Sequence, residues 1–573
     1  MESLLSRALS RRRFLAATAA GSAAVFAGGA RSIVGAAPPL AVLDEDAPWF
    51  EATIPELRRL MRRHELTSME LTAAYLRRIE TFNPVLHAVI ETNPDALAIA
   101  GRRDRERRRG HVRGPLHGIP ILVKDNIATD DDMETTAGSL ALVGSEVPRD
   151  ATVVSRLRRA GAVILGKANL SEWANFRGSV PQQVIDLGLF LNGWSARGEF
   201  TRDPYVLSWD PCGSSSGSGV APSVNMCAAA VGTETDGSVV CPAGNNGIVG
   251  LKPTLGLVSQ RGIIPIAHSQ DTAGPMGRTV TDVAILLNSM VSPFGRVRDR
   301  RLPHDYTRFL KRGALKHARI GVDRRVFSAD YFADVTLNPV TEQAIDVMHS
   351  LGATIIDPVD APDPLKFFDA EFTVLLYEFK QDIAKYLAGL DDTSMRTLAD
   401  LIQFNIEHCP EEMKYFGQEL FEAAEATTDL HDPVYRDARA LCLRLARRGI
   451  DRVMREERLD AIVAPIYSFG SSAPAVAGYP NISVPTGVTD DGRPGGFWMY
   501  SGFLREPQLL AFAYDVEQEI GGRPLPQFLG SVPQLPPDAG ICAALPSMAE
   551  RSVGIAGVTD RGRASLAHGI PRF

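Results

Sequence analysis

The chain has 573 residues, of which 45% are hydrophobic and 23% are charged. This is the composition of an ordinary globular protein, and it excludes a disordered or fibrous chain. The 61 basic and 68 acidic residues give a formal net charge of −7, which argues against nucleic acid as the main partner. Beyond the first 40 positions no apolar run reaches the roughly 18 residues that a membrane-spanning helix needs, so a polytopic membrane protein is excluded as well.

The first 36 residues have the organisation of an export signal. Ser-Arg-Arg-Arg-Phe-Leu-Ala at 10–16 is a twin-arginine pattern, an apolar stretch runs to residue 30, and Val-Gly-Ala at 34–36 resembles a cleavage site. The alternative is a short amphipathic or buried helix, but the three regions occur in the order that export requires. Residues 1–36 therefore predict a twin-arginine signal and a periplasmic or extracellular protein, with no stable membrane insertion once the signal is removed.

A lead-in loop at 37–51 precedes the first predicted helices. Residues 54–64 and 67–82 have apolar positions at helical intervals. Thr67 and Glu70 stand at the spacing of a capping box, which predicts the start of the second helix. The basic run at 102–109 predicts the solvated end of a further helix rather than a nucleic-acid site.

From residue 118 onward, short apolar segments alternate with helical patterns. Buried strands are predicted at 119–123, 162–165, 460–465 and 481–485, with a helix at 151–160. Strands that alternate with helices are typical of an α/β fold.

The remaining segments complete the predicted domain organisation. Residues 295–455 are charged and helix-rich, which predicts a helical layer packed on the core. Residues 546–573 are polar and rich in arginine and predict a loose tail.

The six cysteines do not have the pattern of a disulfide scaffold. Cys212, Cys227 and Cys241 lie in or beside a Gly/Ser-rich region, no CxxC pair occurs, and the histidines lack zinc-ligand spacing. The pattern predicts small buried thiols, leaves one disulfide open, and predicts no metal site.

Two Gly/Ser clusters, at 212–219 and 232–238, are candidates for chemistry. Glycine and serine allow close backbone approach and offer N–H groups to a developing negative charge. A serine nucleophile needs a base, but neither cluster contains histidine, and the next histidine is His268. Lys124 directly follows the predicted strand at 119–123, where partial desolvation would lower its pKa and make it a candidate base.

Each of these features has a simpler structural interpretation. A Gly/Ser cluster is commonly a turn, and a lysine after a strand is commonly the point where the chain returns to solvent. Gly-Ser-Ser-Ser-Gly at 213–217 also fits the nucleophile elbow G-x-S-x-G, with Ser215 as nucleophile, although residues 207–211 are a poor strand. No S-x-x-K motif includes Lys124. The residues alone therefore leave the chemistry open.

The order of the motifs resembles the amidase signature family. A lysine segment is followed by a Gly-Ser-Ser cluster and, 24 residues after Ser214, by Gly-Ser at Ser238. The matching segments are Gly-Ile-Pro-Ile-Leu-Val-Lys-Asp-Asn at 118–126, Gly-Lys-Ala-Asn-Leu-Ser-Glu at 166–172, the two clusters, and the segments at 247–254, 269–276 and 478–485. The resemblance covers roughly residues 52 to 545.

This resemblance implies a fold and a mechanism. The fold is a single large α/β domain whose central mixed β-sheet is covered by helices on both faces. Ser238 matches the nucleophile, Ser214 the bridging serine in a cis peptide bond, and Lys124 the base. The backbone N–H groups of Thr235, Asp236, Gly237 and Ser238 match the oxyanion hole. The reaction would pass through an acyl-enzyme and require no cofactor.

The branch that includes bacterial peptide amidases resembles this chain most. Thr-Glu-Thr-Asp-Gly-Ser at 233–238 and the following Cys-Pro-Ala match that branch, and they imply a small or peptide C-terminal carboxamide as substrate. Asp236 stands where most of the family has glycine, Val240 where many members have arginine, and Ser216 replaces another glycine. Residues 180–191 are an apparent insertion at the substrate entrance.

Three alternatives remain beside this expectation. The signature-bearing subunit of a tRNA-dependent amidotransferase has the same motifs but works with partner subunits in the cytoplasm, which conflicts with an export signal. An aryl or fatty acyl amidase would use the same triad. An inert binding protein on the same scaffold would not need the three catalytic residue types. The sequence leaves the oligomeric state open.

Overall fold

The computed structural model describes residues 46–178, 192–291 and 302–544. The predicted export signal, the insertion at 180–191 and the tail at 546–573 lie outside these residues. Within the described ranges, no helix combines the length and apolarity that crossing a membrane would demand.

The described strands form one large sheet and one small hairpin. Strands β1 to β13 are, in chain order, Val89–Thr92, Pro120–Lys124, Val163–Ala168, Trp194–Ser195, Glu199–Phe200, Ala229–Glu234, Val249–Lys252, Thr272–Gly277, Arg319–Val322, Thr354–Ile356, Ala461–Pro465, Asn481–Val488 and Pro494–Tyr500. The order in the large sheet is β1-β3-β2-β6-β8-β7-β12-β13-β11-β9-β10, while β4 pairs with β5.

The large sheet is mixed, as the resemblance implies. Strands β3, β2 and β6 run parallel to one another, as do β11, β9 and β10. The pairs from β6 through β8, β7, β12 and β13 to β11 are antiparallel. Every residue of β2, β3 and β6 is buried, which explains why these strands are mostly apolar runs in the sequence. The predicted α/β fold class is confirmed.

Helices flank this sheet. Helices α1 to α16 are, in chain order, Ile54–Arg62, Ser68–Leu86, Ala96–Arg108, Thr152–Arg159, Ser216–Ser223, Val240–Asn245, Val280–Met290, Asn338–Ser350, Phe368–Leu387, Leu398–Glu407, Cys409–Glu412, Glu419–Glu425, Pro433–Cys442, Arg448–Glu456, Ser472–Ala477 and Glu506–Ile520. A π-helical turn, Leu443–Arg447, joins α13 to α14.

The capping box at the start of α2 is present as predicted. The Thr67 hydroxyl accepts from the backbone N–H of Glu70, and the Glu70 carboxylate accepts from the backbone N–H of Thr67. The helix runs four residues beyond the predicted end and stops at His87, which has a left-handed conformation with φ 46°. Pro84 lies inside the last turn, so proline does not mark the end of this helix.

The segment at 295–455 is not purely helical. Strands β9 and β10 lie within it and extend one edge of the large sheet. They have four and three residues, which is too short for an alternating pattern to stand out from the surrounding helical periodicity. The prediction of a helical layer is therefore corrected for these two strands.

The prediction of buried thiols is wrong for four of the six cysteines. Cys212 is bonded to Cys241, and Cys409 to Cys542. Cys227 and Cys442 are buried free thiols. The partners of the two bonds are 29 and 133 residues apart in sequence, so only the folding of distant segments onto one another brings them together.

Candidate active site

Lys124 lies where β2 ends, and it points to the end of the neighbouring parallel strand β6. Because parallel strands end at the same edge of a sheet, Thr233 near the end of β6 is its direct neighbour. The Nζ atom of Lys124 lies 2.7 Å from Oγ of Ser214 and 2.9 Å from Oγ1 of Thr233. Asn126 holds the Thr233 hydroxyl with an amide hydrogen bond of 3.0 Å. This arrangement aims the lysine at the serine cluster instead of at solvent.

The environment of Lys124 favours its neutral form. The side chain is fully buried, and burial lowers the pKa of Lys124 to about 7. The carboxylates of Asp271 and Glu234 oppose this shift. Burial also raises the pKa of Asp271, to about 7, although the Thr235 hydroxyl at 2.7 Å favours its charged form. A lysine with such a pKa can accept a proton near neutral pH.

Ser214 is held in a loop between β5 and α5. The Gly213–Ser214 peptide bond is cis, and the carbonyl oxygen of Ser214 accepts a hydrogen bond of 3.0 Å from the backbone N–H of Ser171. A Cβ atom on Gly213 would stand 2.4 Å from Oγ of Ser171, so this position has no room for a side chain. The Ser214 side chain is fully buried.

The nucleophile-elbow alternative is not supported by the position of Ser215. The Ser215 hydroxyl donates to the Thr233 carbonyl at 3.0 Å and accepts from the Thr233 N–H at 3.1 Å. Within the described residues no strand leads directly into the 213–217 segment. Ser215 is thus a fully buried link between the loop and β6.

Ser238 follows a tight turn that starts where β6 ends. One carboxylate oxygen of Glu234 accepts from the N–H groups of Val239 and Val240, at 2.8 and 3.0 Å, and so ties the end of β6 to the start of α6. Gly237 has φ +77°, a conformation that strongly favours glycine. Among the described residues, no acceptor binds the N–H groups of Asp236, Gly237 and Ser238. These free donors are what an oxyanion requires.

The turn is braced from outside by two side-chain contacts. Asp236 accepts a hydrogen bond of 2.7 Å from Oγ of Ser471, and burial raises its pKa. The Thr235 carbonyl accepts a hydrogen bond of 3.4 Å from the Gln270 amide. Asp236, which departs from the usual family residue, thus connects the turn to the segment before α15.

A cavity of about 240 Å³ lies against this turn. Its lining includes Ser238, the turn residues before it, Gly213 and both halves of the Cys212–Cys241 disulfide. The cavity also has an aromatic wall, made of Phe176, Phe332, Phe368, Phe372, Tyr467, Phe469 and Trp498. A mainly apolar cavity with a few convergent polar groups is typical of a small-molecule site.

The structure places Lys124 against Ser214, and Ser238 lies next to the same loop, because its carbonyl oxygen accepts a hydrogen bond of 3.3 Å from the backbone N–H of Ser215. The structure also adds residues that sequence reasoning missed. Thr233 contacts Lys124, Glu234 holds the turn, and Asp271 influences the lysine charge. Thr233 and Glu234 belong to the second Gly/Ser cluster, so the sequence indicates their motif but not their individual contacts. Cys212 opens the first Gly/Ser cluster and Cys241 follows the second. These positions are the feature of the sequence that indicates the Cys212–Cys241 pairing.

His268 belongs to a different group. Its Nδ1 atom lies 2.8 Å from Asp382 and 3.3 Å from Glu378, so the three side chains could approach a common ion. The same two carboxylates already accept from the backbone N–H groups of His268 and Ser269. The cluster therefore has a hydrogen-bonded role in holding the 268–269 segment against α9.

Comparison with known proteins gives consistent matches along most of the chain. The Amidase family model matches residues 70–473. The structure of native peptide amidase from Stenotrophomonas maltophilia has 46% identity and a TM-score of 0.77, and the match covers 84% of this chain and 100% of that one. A protein of Arabidopsis thaliana named as a probable amidase is 41% identical over 84% of this chain and 92% of its own length. A glutamyl-tRNA(Gln) amidotransferase subunit of Thermoanaerobacter pseudethanolicus is 32% identical over 84% of this chain and 99% of its own.

Proposed function

Because this chain belongs to the amidase family, and is therefore a hydrolase of amide bonds, we propose that it converts small or peptide C-terminal carboxamides to carboxylic acids and ammonia. The observation that carries the proposal is the buried 2.7 Å contact between Lys124 and Ser214, beside a cavity that Ser238 lines. Similarity to a peptide amidase supports the carboxamide substrate.

The proposed mechanism is a proton relay through two serines. Neutral Lys124 takes the proton of Ser214, and Ser214 takes the proton of Ser238 as its oxygen attacks the amide carbonyl. The free N–H groups of Asp236, Gly237 and Ser238 stabilise the negative charge on the carbonyl oxygen. The relay then returns a proton to the departing amine, and water hydrolyses the acyl-enzyme. Besides the substrate and water, these steps use only groups of this chain.

The amidotransferase alternative keeps some support, since one of that enzyme's subunits matches over most of this chain. Two observations favour the independent amidase. Identity to the peptide amidase structure is higher, at 46% against 32%. Four of the six cysteines form disulfides, and disulfides persist mainly in oxidising compartments, whereas tRNA charging is cytoplasmic. The same disulfides support the proposal that residues 1–36 direct export.

The proposed reaction is tested by ammonia release. Protein beginning at residue 37 is expected to release ammonia from a C-terminally amidated peptide without ATP, metal or a partner protein, because the proposed relay is complete within the chain. Ammonia is measured with amidated peptides, glutamine, fatty amides and anilides in parallel. If only anilides or fatty amides are hydrolysed, the proposed carboxamide substrate is wrong and the enzyme is an aryl or fatty acyl amidase. If glutamine is hydrolysed only with added amidotransferase subunits, the result favours the amidotransferase alternative.

Export is tested through the two arginines of the proposed signal. Replacing Arg11 and Arg12 by lysine is expected to retain the full chain in the cytoplasm of a host with a twin-arginine translocation system, whereas the unaltered chain reaches the periplasm. The location is measured by cell fractionation and immunoblotting. Arg13→Lys is the matched control and should export normally. Cytoplasmic location of the unaltered chain would contradict the proposal.

A further inference from the structure

The ionisable residues in the described lining of the substrate cavity are all acidic. Of the described residues that line it, Glu371 and Asp236 carry carboxyl groups, and none carries a basic side chain. Half of the remaining lining residues are aromatic or aliphatic. An apolar cavity with acidic groups suits a ligand that has a hydrocarbon body and a positive end.

Glu371 is placed in the cavity by helix periodicity. Phe368, Glu371, Phe372 and Leu375 all line the cavity from α9, at the spacing that puts residues on one face of a helix. Position 371 is the acidic member of this otherwise apolar face. Glu371 lines the cavity although it is only 5% exposed.

The hydrogen bonds of Glu371 leave it with capacity for a ligand. Its Oε1 atom accepts a hydrogen bond of 2.8 Å from the Gln270 amide. The same amide contacts the Thr235 carbonyl in the turn before Ser238. Within the described part of the chain, Glu371 has no ion-pair partner. Burial and the nearby Asp236 raise the pKa of Glu371 well above the ordinary value, and the positive charge of Arg439 opposes this shift. A cation bound in the cavity would provide the ion-pair partner that this buried carboxyl group lacks.

Asp236 is the less available of the two acids. It already accepts from Ser471, and the buried Lys252 lies close enough to favour its charged form. The free capacity for a cation therefore lies with Glu371.

We propose that Glu371 is a specificity residue that binds an ammonium or guanidinium group on the acyl part of the substrate. The aromatic wall contacts the hydrocarbon stem that connects this cation to the scissile carboxamide, and ring faces attract the cation as well. The preferred substrates are then amides of lysine, arginine or other acyl groups with a cation at the end of a flexible chain. This inference rests on the proposed amidase function.

A matched pair of substrates tests the inference. Nα-acetyl-lysine amide and Nα-acetyl-norleucine amide have similar aliphatic chains, but only the first carries a charge. The unaltered enzyme is expected to have a kcat/KM about tenfold or more higher for the lysine compound, as a buried charge-assisted hydrogen bond would give. Glu371→Gln should remove this preference, so that its kcat/KM values for the two compounds agree within about threefold.

Glu378→Gln is the control variant, because Glu378 is another buried carboxyl group on α9 that does not line the cavity. It should keep the preference for lysine. Equal kcat/KM values for the two substrates with unaltered enzyme, or a lysine preference that survives in Glu371→Gln, would overturn the inference.

Binding of the two amides tests the role of Glu371 separately from the proposed amidase function. If neither amide is hydrolysed, the proposed function fails, and calorimetric titration of Ser238→Ala with both amides still tests Glu371. Tighter binding of the lysine compound that is lost in Ser238→Ala with Glu371→Gln supports the inference, whereas equal affinities refute it.

Discussion

Ser238→Ala is expected to fold normally and to lose amidase activity by a factor on the order of 10⁴ to 10⁶. The other serine and threonine hydroxyl groups of the described lining have partners of their own: Thr235 donates to Asp271, Ser468 to the Pro465 carbonyl, and Ser471 and Ser472 contact Asp236. Outside the lining, Ser214 is fully buried and Ser215 is bonded to the backbone of Thr233. Activity is measured as kcat for ammonia release, and folding by thermal unfolding.

Ser218→Ala is the matched control for this variant. Ser218 belongs to the first Gly/Ser cluster, but its fully buried hydroxyl contacts the Val231 carbonyl at 3.4 Å and does not line the cavity. It should therefore remain active. Near-normal turnover by Ser238→Ala would refute the assignment of Ser238 as the nucleophile, and Ser215 would again be the candidate.

Lys124→Ala is expected to lower kcat/KM by roughly 10³-fold or more, because Ser214 would lose its proton acceptor. Lys167→Met is a suitable control, since burial also lowers the pKa of Lys167, to about 8. Lys167 lies on the adjacent strand β3, but its Nζ atom contacts the Ile127 carbonyl and the Thr135 hydroxyl instead of a serine. Folded Lys167→Met should retain most of the activity. An active Lys124→Ala variant would contradict the role of Lys124 as base.

The pH dependence of kcat/KM also tests the role of Lys124. The base must be neutral to accept a proton, and the pKa of Lys124 is about 7 instead of the ordinary 10.5. We therefore expect kcat/KM to rise by about tenfold for each pH unit below 7 and to level off above it. Without the lowered pKa, the rise would continue to far higher pH.

Two other groups near the site serve as controls for the profile. His268→Asn should leave the rise in place, because the ring contacts Asp382 and Glu378. Asp271→Asn should move the rise to lower pH, because the Asp271 carboxylate favours the charged form of Lys124. Disappearance of the rise in His268→Asn would contradict the proposed relay.

Much of the fold could be predicted from the sequence, because local periodicity and turn chemistry follow chain order. Strands β2 and β3 are mostly apolar runs, and α2 begins at a capping box that two residues define. The candidate residues Lys124, Ser214 and Ser238 lie in recognisable segments, so a linear chain is enough to locate them. Their catalytic roles came from resemblance, since spacing alone also allowed the elbow at Ser215.

Only the tertiary structure decided which side chains surround those candidates. The Cys409–Cys542 bond joins residues 133 positions apart, and Glu371 reaches the cavity from a helix that follows Ser238 by more than a hundred residues. The full burial that lowers the pKa of Lys124 likewise depends on β6 and on the loop that carries Ser214. Sequence patterns report local preferences, whereas disulfide pairing, burial and cavity lining depend on contacts between distant segments, and these exist only after the sheet and its helical layer have assembled.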